Sequence, residues 1–222
     1  MRVGTVDTMP DSWIQPPPAE ALTGGETFDG ADATVQDFWR FAMSDLRMNN
    51  SRGYLAEFLV AQALGLRDVT RVEWDAYDLL LEGDIRVEVK SSAYLQAWEQ
   101  RQPSRIEFSG LRGTRYDIRH GDDPGGRQFN AHVYVFCVQT ATDHAHYRPL
   151  DVSQWNFYVA SVSALEKANV GASFGLATLK LIAGEPTPWT DLRAEVLAAA
   201  VGQTVNDAPW WHDDQVPTPE GQ

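Results

Sequence analysis

Residues 77–90 have the sequence YDLLLEGDIRVEVK, and this stretch decides the fold class. From Ile85 to Lys90 apolar and charged residues alternate, which is the pattern of a strand with one buried face. A run of leucines precedes it, and residues 82–84 between the two runs are Glu, Gly and Asp. Because glycine and aspartate favour tight turns, the stretch predicts a β-hairpin.

The length of the turn decides which side chains of the hairpin meet. A two-residue turn places Asp78 opposite Val87, and Glu88 then lies on the other face. A three-residue turn, residues 82–84, places Asp78 opposite Glu88, with Lys90 close by on the same face. The glycine and the aspartate of that turn can both adopt the left-handed conformation it needs, which favours the second register.

The rest of the chain predicts an α/β fold, in which a central mixed β-sheet is flanked by helices. Helices are predicted at Thr34–Met48, at Ser51–Leu66 with Asn50 or Ser51 as the N-cap, at Val162–Asn169 and at Thr190–Val201. Further strands are predicted at Arg71–Trp74, Arg105–Phe108, His132–Gln139 and Asn156–Ser161. Proline and glycine predict disordered acidic tails at residues 1–33 and 203–222, which leaves one domain at residues 34–202.

The charge of the chain is concentrated at its ends. It has 222 residues, with 18 Lys and Arg against 31 Asp and Glu, a net charge of −13. Residues 1–38 carry −6 of this and residues 203–222 carry −4. Between the two ends, many of the basic residues are concentrated in residues 101–127. This stretch is either the contact for a phosphate backbone or an ordinary solvated loop. Its basic residues are Arg101, Arg105, Arg112, Arg115, Arg119 and Arg127.

The composition also indicates the cellular compartment in which the protein is expected. A single cysteine, Cys137, excludes an intrachain disulfide framework and a cysteine-rich zinc site. No apolar run reaches the roughly 18 residues that a membrane helix needs, and the N-terminus lacks the pattern of a secretory signal. We therefore expect a cytoplasmic protein with no membrane partner.

In the favoured register Asp78, Glu88 and Lys90 share one small patch. Two neighbouring carboxylates repel each other unless a cation lies between them. Hard oxygen ligands without histidine or cysteine favour Mg²⁺ or Mn²⁺, here held by Asp78, Glu88 and the carbonyl of Val89. Lys90 would orient or deprotonate an attacking water, so the patch has the parts for phosphodiester hydrolysis. The alternative is a solvated strand face, on which Glu-x-Lys pairs are common.

Glu57 is the fourth candidate residue. In the predicted helix Ser51–Leu66 the polar residues are spread around the wheel, so most of its surface must be buried. A carboxylate in that setting needs a partner. Lys90 or a bound cation would supply one, and the alternatives are an arginine salt bridge or a solvent-exposed edge.

The order of these residues resembles the PD-(D/E)xK nuclease superfamily, whose members share the restriction-endonuclease-like fold. The matching pieces are a helix with GYLAE at residues 53–57, then Asp78, then EVKSS at residues 88–92. The arrangement is most similar to the resolvase-like and Mrr-like branches, in which a helix glutamate precedes the core motif. The resemblance covers residues 50–96, and Tyr77 stands where some members have a proline and many others lack it.

The resemblance implies a metal role for Asp78 and Glu88, a catalytic role for Lys90 and a supporting role for Glu57. Gln96 lies where some members place a glutamine that faces the site. Besides Gln96, the predicted substrate contacts are Ser91, Ser92, Arg101, Arg105, Arg112 and Arg115.

Two functions are therefore expected as alternatives. The first is a Mg²⁺-dependent or Mn²⁺-dependent nuclease that acts on DNA, by analogy in restriction or defence. Cutting of duplex DNA would need two active sites, so a homodimer is expected for that substrate. The second is a binding module on the same fold that no longer cuts, with its acidic tails and their tryptophans as the surface for a protein partner.

Overall fold

A computed structural model describes residue 17 and residues 20–67, 69–71, 76–117 and 120–208. The chain divides into two compact units, Met1–Ala42 and Met43–Gln222. Helix α1 (Val35–Met43) begins in the first unit, after a turn in which the Glu26 carboxylate accepts hydrogen bonds from the amides of Thr23 and Gly24. This part of the predicted N-terminal tail therefore has local hydrogen-bonded structure.

The second unit holds the other elements. Its helices are α2 (Asn49–Leu64), α3 (Val162–Lys167), α4 (Leu176–Ala183) and α5 (Leu192–Ala200), with 3-10 turns at Val152–Gln154 and Trp189–Asp191. Its strands are β1 (Leu79–Leu81), β2 (Ile85–Ala93), β3 (Glu107–Ser109), β4 (Tyr116–Asp117), β5 (Gly121–Asp122), β6 (Val133–Gln139), β7 (Trp155–Ser161) and β8 (Ser173–Gly175).

Four strands form the main sheet in the order β1-β2-β6-β7. The β2 and β6 strands are parallel, whereas β1 pairs with β2 and β7 pairs with β6 in antiparallel fashion. The predicted α/β fold with a mixed sheet flanked by helices is confirmed. Strands β3 and β8 form a separate two-stranded sheet, as do β4 and β5.

Each face of the main sheet carries its own apolar core. Strand β6 is buried along its whole length, which explains its continuous apolar sequence. Its residues Val133, Val135 and Cys137 pack with α2 and α5 on one face. Its residues Tyr134, Phe136 and Val138 pack on the other face with apolar residues of α3, α4, β3 and β8.

The hairpin has the three-residue turn. Leu79 pairs with Val87 and Leu81 pairs with Ile85, which leaves residues 82–84 as the turn. Gly83 and Asp84 have positive φ angles of 77° and 58°, the left-handed conformation that this turn requires. The register that brings Asp78 towards Glu88 is therefore confirmed.

Several predicted boundaries are wrong for local reasons. The helix predicted to reach Met48 ends at Met43, because the Asp45 side chain accepts a hydrogen bond from the Arg47 amide and stabilises a turn. Helix α2 begins at Asn49, so Met48 is its N-cap, and it makes no side-chain capping bond. The strand predicted at Arg71–Trp74 lies outside the described residues, apart from Arg71.

Later in the chain the predicted strand Arg105–Phe108 begins only at Glu107 and pairs with β8. The predicted helix Thr190–Val201 begins with a 3-10 turn, and α5 follows it. The sequence did not predict α4 or β8, whose segments are short. The restriction-endonuclease-like topology and the disorder of the acidic tails remain predictions.

Candidate active site

The hairpin holds Asp78 against the backbone of β2. Its Oδ2 accepts a hydrogen bond from the amide of Val89 at 2.7 Å, and its own amide donates to the carbonyl of Val87 at 3.1 Å. The carboxylate therefore lies at the edge of the sheet, where β1 begins beside β2. Among the described residues, none donates a hydrogen bond to the other carboxylate oxygen, Oδ1.

Glu88 and Lys90 lie on one face of β2. They pair with Tyr134 and Phe136 of β6, so all four side chains project from the same side of the sheet. Lys90 Nζ lies 2.5 Å from Glu88 Oε1, and 16% of the Glu88 side chain is exposed. The structure thus brings this predicted acid and base together as an ion pair.

Asp78 and Glu88 border the same small cleft, with a volume of about 170 Å³. Tyr134 forms one wall, and its hydroxyl donates to the carbonyl of Leu111 at 3.0 Å. That bond ties the wall to the loop before β4. The full lining consists of Ala76, Asp78, Glu88, Gly110, Leu111, Gly113, Thr114, Asn130 and Tyr134.

The two carboxylates lie in an environment that disfavours their negative charge. Burial and then the neighbouring Asp78 raise the pKa of Glu88 to about 7, against the opposing effect of Lys90. Burial also raises the pKa of Asp78, which the amide of Val89 and the charges of Lys90 and Arg71 oppose. A cation in the cleft would therefore be favoured electrostatically.

Glu57 lies on the opposite side of the sheet, because α2 packs on the face that carries Val87 and Val89. Its Oε2 accepts a hydrogen bond from Arg71 Nε at 2.6 Å. The partner of Glu57 is therefore an arginine, one of the alternatives that the sequence left open, and Lys90 pairs with Glu88 instead.

Asp78 connects the two sides. It borders a second cavity of about 350 Å³, whose lining includes Glu57, Arg71 and Tyr54. The Arg71 guanidinium lies 4.6 Å from the centre of the Tyr54 ring. Burial, and after it the charge of Asp78, raise the pKa of Glu57. Glu57, Asp78, Glu88 and Lys90 thus interact electrostatically. Glu57, however, approaches Asp78 from the face of the sheet opposite to Glu88.

The ligand set for a metal is small. Among the described residues no group of three or more His, Cys, Asp or Glu side chains could hold a metal ion. Asp78 and Glu88 are two carboxylates at one cleft, which suits an ion that keeps several waters. Val89, whose carbonyl was the third predicted ligand, contributes its amide to the position of Asp78.

Three predicted substrate contacts lie outside this cleft. Ser92 is buried, and its Oγ accepts a hydrogen bond from the Glu107 amide at 3.3 Å. Ser91 pairs with Cys137, so it lies on the face opposite to Glu88. Gln96 is buried and accepts a weak hydrogen bond from Arg52 at 3.4 Å. None of the three lines the cleft of Asp78 and Glu88.

The predicted arginine contacts fall into two groups. Arg101 and Arg105 are exposed. Arg112 donates to the carbonyl of Val170 at 3.2 Å and lies over the ring of Phe129. Arg115 is mostly buried and pairs with the buried Asp123 at 2.6 Å. Arg119 lies outside the described residues.

Several residues of the site were not predicted. Tyr134, Asn130 and Thr114 border the cleft, and Arg71 pairs with Glu57. Arg86 shares the face of Glu88 and lies 5.2 Å from the centre of the Tyr77 ring. Of these, only Arg86 carried a signal, since it alternates with Glu88 along the strand.

Within the described part of the chain, no helix is long and apolar enough to cross a bilayer. Comparison of the chain with protein-family models, with curated proteins and with solved structures gives no match.

Proposed function

We propose that this protein is a Mg²⁺-dependent or Mn²⁺-dependent nuclease that hydrolyses phosphodiester bonds in DNA. The observation that carries the proposal is the pair of mostly buried carboxylates, Asp78 and Glu88, that border one cleft with the Lys90 ammonium 2.5 Å from Glu88. A group of two acids and a base at a concave site is suited to metal-assisted hydrolysis.

The donor set fits a hard divalent ion. Asp78 and Glu88 provide carboxylate oxygens only, and Mg²⁺ is commonly held by one or two carboxylates together with waters and substrate phosphates. When bound, the ion supplies Lewis-acid stabilisation of the phosphoryl oxygens and lowers the pKa of a coordinated water. The raised pKa of Glu88 supports this fit, because two buried acids without a cation destabilise each other.

The protein's own side chains have separate roles in this proposal. The amide of Val89 fixes the Asp78 carboxylate, so this ligand is oriented before any ion arrives. Lys90 neutralises Glu88 in the free protein, and with a metal bound its ammonium orients the attacking water or offsets charge on the phosphate. Across the sheet, Glu57 pairs with Arg71, and the charge of Arg71 favours the ionised form of Asp78.

A path for the DNA backbone leads away from the cleft. Gly110 and Leu111 border it and also border a larger cleft of about 670 Å³. Arg112 and Arg127 line this larger cleft, and Arg127 donates to the carbonyl of Arg112 at 2.8 Å. Guanidinium groups at one cleft suit the phosphate oxygens of a nucleic-acid backbone. Arg101 and Arg105 add exposed positive charge to the same stretch of sequence.

The test is cleavage of supercoiled and branched DNA by the full chain. We expect turnover with Mg²⁺ or Mn²⁺ and none with EDTA, and we expect Lys90→Ala to slow it by at least about a hundredfold. The matched control is Lys180→Ala, which removes a partly exposed lysine from α4. Circular dichroism establishes that both variants fold. Cleavage at the same rate in Lys90→Ala would refute the assignment.

The second candidate is a binding module that does not cut. It is favoured by the two ion pairs, Lys90 with Glu88 and Glu57 with Arg71, which satisfy these charges without a metal. In that case no metal would support turnover, and the acidic tails would bind a protein partner. Loss of such a partner on neutralising the acids of residues 203–222 would support it.

A further inference from the structure

The first residues after α5 lie against the body of the second unit. Gln203 Oε1 accepts a hydrogen bond from the Ser163 amide at 3.1 Å. The carbonyl of Asn206 accepts from Arg115 Nη1 at 2.6 Å, and Asp207 forms an ion pair with Arg86. The sequence predicts this segment as part of an acidic tail, yet its described part, residues 203–208, has defined contacts.

The two arginines lie beside the candidate active site. Arg86 stands two residues before Glu88 on the same face of β2, and its guanidinium lies over the ring of Tyr77, next to Asp78. Arg115 follows Thr114, which lines the cleft. The segment therefore contacts two arginines that adjoin residues of the cleft, Arg86 on the strand face of Glu88 and Arg115 next to Thr114.

The acceptors on the segment resemble those of a nucleic-acid backbone. A guanidinium recognises phosphate oxygens through the same N–H donors that here bind the carboxylate of Asp207 and the carbonyl of Asn206. The Asp207 side chain is 57% exposed, so little buried surface holds it in place. A surface ion pair of this kind is weak enough to exchange for a phosphate.

We propose that Arg86, together with the Arg115 Nη1 group that binds the carbonyl of Asn206, forms a phosphate-binding surface beside the cleft, and that the acidic C-terminal segment occupies it until DNA displaces the segment. The other nitrogens of the Arg115 guanidinium, Nε and Nη2, stay bound to Asp123. This inference rests on the proposed action on DNA. Asp207 is then a mimic of a backbone phosphate. The sequence beyond it carries Asp213, Asp214 and Glu220 without any base, which adds negative charge to the competing segment.

The experiment measures binding of a fluorescent DNA duplex by anisotropy, with EDTA present so that cleavage cannot occur. It uses the full chain and Asp207→Asn. The matched control is Glu195→Gln, which removes one exposed negative charge from α5. We expect Asp207→Asn to tighten binding by about threefold or more, since one competing ion pair is lost, and Glu195→Gln to leave it nearly unchanged.

Arg86→Gln identifies the surface. In this variant we expect weaker binding, and Asp207→Asn should then have no further effect. In the Asp207→Asn background, Arg86→Gln should also make the negative slope of log association constant against log salt concentration shallower by about 1, because one phosphate contact disappears. A further variant combines Asp207→Asn, Asp213→Asn, Asp214→Asn and Glu220→Gln. It should bind the duplex more tightly than Asp207→Asn alone.

The outcomes separate the two proposals. Equal affinities of Asp207→Asn and Glu195→Gln would overturn the role of the segment, while DNA binding by the unmodified chain would leave the proposed function standing. If the variants bind DNA as expected but the chain shows no Mg²⁺-dependent cleavage, the result would support the phosphate-binding surface and contradict the proposed nuclease activity. Absence of DNA binding in every variant would overturn both.

Discussion

The replacement Glu88→Gln should stabilise the metal-free protein at alkaline pH. The pKa of Glu88 is about 7, against an ordinary value of 4.5, because the carboxylate is buried beside Asp78. A difference of about 2.5 pKa units corresponds to a cost on the order of 3 kcal/mol for ionised Glu88 in the folded state. The stabilising charge of Lys90, whose side chain is 25% exposed, is already included in this raised pKa, so we expect Glu88→Gln to gain about 1–3 kcal/mol at pH 8.

The sign of the pH dependence follows from the raised pKa. Between pH 4.5 and about 7 the folded protein holds a proton on Glu88 that the unfolded chain releases, so the free energy of unfolding falls as pH rises through this range. Above pH 7 both states are ionised at this residue, and the penalty is constant. Glu88→Gln should therefore match the unmodified chain at pH 4.5 and exceed it at pH 8.

Urea unfolding at a series of pH values, with EDTA present, measures this difference. Glu195→Gln is the control, since it removes an exposed carboxylate from α5. Acids far from Glu88 titrate alike in both proteins and cancel when the two curves are subtracted, whereas Asp78 and Glu57 interact with Glu88 and contribute to the difference. A Glu88→Gln variant that is no more stable than the unmodified chain at pH 8 would refute the reasoning that two acids compete in a poorly solvated cleft.

Three further predictions follow from the same geometry. Mg²⁺ affinity, measured by calorimetry, should rise up to about tenfold per pH unit between pH 5 and 7 and then level off, because binding requires the ionised form of Glu88; a flat profile would contradict this. Glu57→Gln should slow cleavage less than Asp78→Asn does, since Glu57 lies across the sheet and pairs with Arg71; equal losses in initial rate would indicate that Glu57 contacts the reacting atoms. Tyr134→Phe should lower the free energy of unfolding by about 1 kcal/mol through loss of the bond to Leu111, measured by urea unfolding, and an unchanged midpoint would show that this bond contributes nothing.

The parts of the fold that the sequence predicts are those set by local chemistry. In the three-residue turn, Gly83 and Asp84 both take the left-handed conformation that glycine and aspartate tolerate, and its register places Asp78 beside β2. The strand predicted at His132–Gln139 is confirmed as β6, and its continuous apolar sequence agrees with its burial on both faces. Alternation along β2 likewise predicts that Glu88 and Lys90 are neighbours.

The partners of these side chains could not be predicted, because they depend on contacts between distant segments. Periodicity shows that Glu57 needs a partner but not that Arg71 supplies it. The parallel pairing of β2 with β6 decides that Tyr134 stands beside Glu88, and nothing local encodes this pairing. Composition describes the C-terminal segment as an acidic tail, whereas its contact with Arg86 follows from the tertiary structure.

Binding of Mn²⁺ to the full chain, followed by electron paramagnetic resonance, tests most directly whether Asp78 and Glu88 hold a divalent ion together. The free-ion signal should fall as one Mn²⁺ binds per chain, and Mg²⁺ should restore it by competition. We predict that Asp78→Asn and Glu88→Gln each abolish this binding, while Glu195→Gln retains it. Binding of the same strength in Asp78→Asn and Glu88→Gln would place the ion elsewhere and would contradict the proposed active site.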